Sequence, residues 1–191
     1  MKLKKQIEQL ASSDEKLRDA AAEEIYVAGS ILARRATKAW FADPAFVLTA
    51  GAEPKITVGI AVMPELFQQI RGASGNPRLA DVPPDQDAME FELHFTGLHL
   101  DVLTSKAPEG DGAIARYLAK FGGGIQQVEF LCSDVDRATQ ILREKFGLKP
   151  VYPATRAGAD GTRINFLLAT TPENEKVLIE LYEKRVEHRE E

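Results

Sequence analysis

Gly122-Gly123-Gly124-Ile125-Gln126-Gln127-Val128-Glu129-Phe130-Leu131-Cys132 opens a segment that ends in Lys176-Val177-Leu178-Ile179-Glu180-Leu181-Tyr182-Glu183. The order of elements between these two strands decides the fold. Val128, Phe130 and Cys132 alternate with Gln127, Glu129 and Leu131, the period of a half-buried strand. Ser133 then caps a helix over residues 134–146 that Gly147 stops. Strands at 149–153, 163–169 and 176–183 follow, with a loop at 155–162. Residues 124–183 therefore read as one β-α-β-β-β module.

Residues 56–104 carry a more worn copy. Ile56, Val58, Ile60 and Val62 alternate with Thr57, Gly59 and Ala61, and Met63-Pro64 opens a short helix to about residue 70. Residues 77–84 read as extended chain or loop. Met89, Phe91, Leu93 and Phe95 lead through a Thr96-Gly97 turn into Leu98, Leu100 and Val102, which is a hairpin. A linking helix at 113–121 joins the modules. The expected fold class is α+β: two β-α-β-β-β modules forming a curved mixed sheet around a cleft.

An N-terminal helical arm, residues 1–48, precedes this domain of residues 56–183, and residues 184–191 form a charged tail. In the arm, Ser12 and Glu15 have capping-box spacing. Leu17, Ala21, Ile25, Ala28, Leu32 and Ala39 recur at helical spacing, and Asp43-Pro44 ends the run. Such an arm docks on the main domain or on a second subunit.

Strand parity sorts the side chains. The apolar sets face the helices. The opposite face carries Thr57, Glu90, Glu92, His94, His99, Asp101, Gln127, Glu129, Arg163, Asn165, Glu180 and Tyr182. In the hairpin, a two-residue turn sets His94 opposite His99 and Glu92 opposite Asp101. Facing carboxylates invite a cation, a proton or an arginine between them. Two histidines beside two carboxylates read either as an exposed hairpin tip or as a metal site.

Composition sets the outer bounds. A net charge of −5 argues against nucleic acid, whose phosphates need a basic surface. No apolar run reaches bilayer length, so no membrane partner is expected. The single cysteine, Cys132, permits no internal disulfide and fits a reducing, cytoplasmic location.

The run from Asp111 to Leu131, the stretch Gly158-Ala159-Asp160-Gly161-Thr162-Arg163-Ile164-Asn165-Phe166 and the stretch Val177-Leu178-Ile179-Glu180-Leu181 resemble the vicinal-oxygen-chelate superfamily. This is the glyoxalase and bleomycin-resistance group, and within it the similarity is to methylmalonyl-CoA epimerases. The resemblance covers residues 56–183. It implies a divalent metal held at Thr57, Asp101, Gln127 and Glu180. The epimerase pattern has histidine at the first and third of these, so both histidine ligands are absent and no other cofactor is implied. It further implies Glu90 and Glu180 as catalytic carboxyls flanking an acidic carbon. Arg163, Asn165, Glu129 and Tyr182 become substrate-binding candidates, and a homodimer is the expected assembly. The functional expectation is a protein with a degenerate metal site, an isomerase or lyase on a small acid, thioester or 2-oxo compound. The alternative is a non-catalytic small-molecule binder or scaffold of the same fold.

Overall fold

The computed structural model describes residues 2–184. The remainder of the expected charged tail, residues 185–191, lies outside the described residues. Helices α1 (Lys2–Gln9), α2 (Glu15–Ala36) and α3 (Pro44–Ala50) form the arm. They are followed by β1 (Ile56–Ala61), α4 (Pro64–Ala73), β2 (Met89–Phe95), β3 (Leu98–Thr104) and α5 (Ala113–Phe121). Then come β4 (Gly124–Leu131), α6 (Val135–Phe146), β5 (Arg156–Ala157), β6 (Arg163–Thr170) and β7 (Lys176–Glu183). Among the described residues, no helix is long and apolar enough to cross a membrane.

The helix starts differ from expectation in the arm. Asp14, not Ser12, caps α2, its carboxylate accepting the Lys16 N–H at 3.0 Å. Ser12 Oγ instead accepts the Asp14 N–H and shapes the turn before it. A carboxylate suits this end because it faces the positive pole of the helix dipole, while Arg34 and Arg35 sit at the negative pole. The buried face is Ala21, Ala22, Ile25, Gly29, Ser30 and Ala33, whereas Leu17 is exposed. Asp43-Pro44 does not stop a long helix. It starts α3, with Asp43 Oδ1 accepting from Ala45 and Phe46 and Pro44 in the first turn.

Small residues on α2 let it lie close against the sheet, touching β1, β3, β4 and β7. A Cβ added at Gly29 would fall 2.6 Å from Val58 Cγ1, so glycine is what permits this approach. Ile25, Ala33, Trp40 and Phe46 share one core with Val58, Val128, Phe130 and Ile179. Phe41 places its ring edge-on to both Phe46 and Phe130, at 5.2 and 5.4 Å. The arm is thus the roof of the outer face of the sheet.

The sheet runs β2-β3-β1-β4-β7-β6-β5 and is mixed. β1 and β4 pair antiparallel at its centre; β1 pairs parallel with β3, and β4 parallel with β7. The outer pairs β2/β3 and β6/β7 are antiparallel hairpins. The register makes the duplication explicit. Gly59 pairs with Asp101 and Glu129 with Glu180, while across the central seam Thr57 faces Glu129 and Gly59 faces Gln127. A two-fold axis on that seam therefore exchanges Thr57 with Gln127, Gly59 with Glu129, and Asp101 with Glu180. The strand expected at 149–153 is reduced to an isolated bridge between Pro150 and Leu167, and the two-residue β5 lies instead at Arg156–Ala157, inside the segment expected to be a loop.

Candidate functional site

The inner face of the sheet encloses a cavity of about 1280 Å³. Its floor is the central seam and the strands beside it, carrying Asp101, Gln127, Glu129 and Glu180. One wall is β2, with Glu90, Glu92 and His94. The other is β6, with Ile164 and Phe166. By the two-fold relation, Ile164 stands where Glu90 stands and Phe166 where Glu92 stands, because they pair with Tyr182 and Glu180 as those pair with Leu103 and Asp101. The cleft is therefore acidic on one side and apolar on the other.

Two expected binding residues are not in it. Arg163 and Asn165 belong to the opposite face of β6. Asn165 is buried, its carboxamide bonded to the backbone N–H and carbonyl of Tyr152. Arg163 pairs with Asp136 on α6 and with Glu183. The parity of β6 is ambiguous from sequence because Ile164, Phe166 and Leu168 compete with Leu167 and Ala169 for the buried face. The other expected residues do share the inner face, and Tyr182 lines the cavity.

The floor is knitted by one amide. Gln127 Nε2 donates to Glu180 Oε2 at 2.6 Å and to Glu129 Oε1 at 3.2 Å. Room for it is made by Gly59: a Cβ there would lie 2.6 Å from Gln127 Cγ. Asp101 is 6% exposed, and its Oδ1 has no hydrogen-bond partner.

Burial is the dominant electrostatic fact. Desolvation first, then the charge of Asp160 and Glu92, pushes the Glu90 carboxyl up to about 7. Burial, opposed by the Gln127 hydrogen bond and reinforced by Glu90 and Glu92, pushes Glu129 up to about 8. Asp101 and Glu180 are raised well above the carboxylate range by burial and then by the neighbouring acids. Burial likewise raises the Tyr182 phenol and lowers the His99 imidazole.

A strap crosses the mouth. Asp160 bonds Arg78 at 2.6 Å and accepts the Asp81 N–H at 2.8 Å, and its own N–H reaches the Asp81 carbonyl. Gln86 donates to the Ala157 carbonyl, and Arg156 pairs with Asp85. These contacts join the first module's 77–88 segment to the second module's 156–161 loop. The loop is legible in the sequence, but its partners, which lie 71 to 82 residues away in the chain, leave no local signal.

No family model matches the chain, and no curated protein does. Solved structures do match. Methylmalonyl-CoA epimerase from Mycobacterium tuberculosis is 29% identical, covers 73% of this chain and 91% of its own, and superposes with a TM-score of 0.56. A variant of methylmalonyl-CoA epimerase from Streptomyces coelicolor, in complex with 2-nitronate-propionyl-CoA, is 26% identical, covers 68% and 96%, and has a TM-score of 0.54. This chain has the vicinal-oxygen-chelate fold. Its structural neighbours are methylmalonyl-CoA epimerases.

Within a vicinal-oxygen-chelate cleft the question is what stands at the metal position. Among the described residues, no group of three or more His, Cys, Asp or Glu side chains is placed to hold an ion. Thr57 is buried and offers only a hydroxyl, and Gln127 turns its amide nitrogen, a donor, toward Glu180. Neither supplies the nitrogen or sulfur lone pair that zinc or cobalt prefers. The donor set does not fit the family's metal.

Proposed function

We propose that the protein is a proton-transfer isomerase acting at a carbon beside a carbonyl, on a thioester or 2-oxo compound, with carboxyl groups alone. The observation that carries the reading is the separation of the carboxyls by environment. Glu90 sits near 7, where a carboxylate base is half available at neutral pH, Glu129 is pushed up to about 8, and burial drives Glu180 well above the ordinary carboxylate range, which favours its acid form. Glu90 takes the α-proton. The electron pair moves to the carbonyl oxygen, which accepts a hydrogen bond from the Glu129 hydroxyl in place of a Lewis acid. Glu180 returns its proton to the opposite face of the carbon, and both carboxyls re-equilibrate with solvent. Gln127 holds one oxygen of each acid and leaves the other free to carry the proton.

The solved neighbours support this reading, since the Streptomyces epimerase binds a CoA thioester analogue. The reading carries with it a cytoplasmic homodimer, checked by light scattering of the purified chain. A non-catalytic binder is the second reading, favoured by the apolar wall of Ile164 and Phe166.

The experiment is hydrogen exchange in D₂O. Methylmalonyl-CoA, propionyl-CoA and 2-oxobutyrate are each incubated with chelator-treated protein, and deuterium entry at the α-carbon is followed by NMR. Entry that survives chelation and disappears in Glu90→Gln supports the proposal. No entry with any of the three, or entry that needs added metal, sinks it. Saturable stabilisation by one of them without exchange would favour the binder.

A further inference from the structure

We propose that His94 and His99 form a two-histidine site for a borderline transition metal ion, zinc or copper, on the lip of the cleft. The site lies apart from the floor at which the fold family's metal would be expected. His94 and His99 are direct cross-strand partners in the β2/β3 hairpin, and their Nδ1 atoms approach to 2.7 Å. The rings are nearly perpendicular, at 83°, with centroids 4.8 Å apart. At this distance one nitrogen donates and the other accepts, so two imidazole nitrogens already aim at one point in space.

A second, independent contact settles which nitrogen is which. Glu92 Oε2 lies 3.0 Å from His94 Nε2. A carboxylate there holds the proton on Nε2 and leaves the His94 Nδ1 lone pair facing His99. Carboxylates behind metal-bound imidazoles act in this way, fixing the tautomer and turning the ring. His99 needs only to move its proton from Nδ1 to Nε2, a change of tautomer that releases none, and both lone pairs converge. Two nitrogens on one tetrahedral ion at about 2.0–2.1 Å stand roughly 3.4 Å apart, so the rings must open by well under an ångström. His94 and Glu92 are more than half exposed and free to make that adjustment.

Imidazole is a ligand for zinc, copper and nickel rather than for the oxygen-seeking cations. Two protein ligands with an orienting carboxylate leave coordination positions for water or a ligand oxygen. That is consistent with there being no three-residue cluster of direct ligands among the described residues. Because His94 lines the cavity, the open positions border the space in which a substrate would sit. His99 precedes Asp101 by two residues on the same strand face, which puts the pair about 7 Å along β3 from the floor.

The test is calorimetric titration of the chelator-stripped full chain with Zn²⁺ alone, with the Cu²⁺ electron paramagnetic resonance spectrum recorded in parallel. The expected result is one ion per chain with nitrogen ligation in the copper spectrum. His94→Ala and His99→Ala should each weaken binding more than tenfold, and Glu92→Gln by roughly 10–100-fold. Asp101→Asn, Glu180→Gln and His188→Ala should leave it unchanged, with circular dichroism confirming that every variant is folded. Absence of saturable binding overturns the proposal, as does binding that survives both alanine variants. Loss in the Asp101 or Glu180 variant would put the ion on the floor, and loss in His188→Ala would put it on the terminal segment. Either result overturns the proposal too. Since the titration reads metal alone, its failure leaves the proton-transfer reading standing.

Discussion

Gln127 Nε2 reaches across from β4 to Glu180 Oε2 on β7 at 2.6 Å, and the same nitrogen contacts Glu129 Oε1. One neutral amide thereby ties two half-buried acids at the place where the epimerase pattern has a metal-binding histidine. An ion would hold such oxygens by charge and keep them ionised. An amide holds them by its two N–H groups, and burial favours their protonated form. Removing those donors should expose the dependence. Gln127→Leu, close in volume, leaves two buried oxygens without donors and should cost on the order of 1–3 kcal/mol in chemical denaturation. Loss of acid placement should slow any α-proton exchange by roughly 100-fold. Unchanged exchange and stability would show that the bridge has no role.

The Gly59 position tests the same bridge from the other side. An added Cβ would meet Gln127 Cγ at 2.6 Å, and Leu103 Cδ1 lies near as well, at 3.3 Å. Gly59→Ala should therefore push the amide off Glu180 and destabilise the chain by about 1–3 kcal/mol. Its exchange rate should fall toward that of Gln127→Leu, and the double variant should be less than additive. A fully additive double variant would show that the two positions do not act through one contact.

Stability should decline as pH rises across neutrality. Glu90 goes from an ordinary 4.5 to about 7 in the folded chain, so between those values the folded state holds a proton that the unfolded state has released. The slope of stability with pH is then negative. Ionisation at higher pH places a buried charge in the cleft, and the contribution is lost by about pH 7. Glu129, at about 8, extends the decline. The Glu90 share is on the order of 2–3 kcal/mol. Urea midpoints measured from pH 5 to 8 should fall in the native chain and fall less in Glu90→Gln. A midpoint that rises over this window contradicts the electrostatic account.

Much of this was legible in the residues. Alternation at β1, β2, β3, β4 and β7 sorts inner from outer side chains because each of these strands has one predominantly apolar set. The Thr96-Gly97 turn fixed the hairpin register, and with it the pairing of His94 with His99. The failures have physical causes. On β6 both sets are partly apolar, so Arg163 and Asn165 were assigned to the cleft although they pack outside it. In the arm, Asp14 outcompetes Ser12 as the cap because the ionised oxygen also gains from the helix dipole. The clearance that Gly59 gives Gln127, and the strap between Arg78 and Asp160, depend on atoms distant in sequence. Periodicity carries no trace of them.

The arm supplies the last prediction. Gly29 on α2 faces Val58 on β1, and an added Cβ would fall within 2.6 Å of Cγ1 and 2.8 Å of Cγ2 of that valine. Val58 is fully buried in the strand that also carries Thr57 and Gly59, so it has little room to yield. Were the arm an appendage, Gly29→Ala would be neutral or would stabilise the helix by reducing backbone freedom. Because α2 is the roof over the central strands, the overpacked variant should instead lose about 1–3 kcal/mol, a drop in Tm of roughly 2–12 °C for a chain of this size. Val58→Ala in the same chain should restore part of that loss by opening space for the new methyl group. A Gly29→Ala variant as stable as the parent would separate the arm from the sheet, and with it the support that holds β1 under the site.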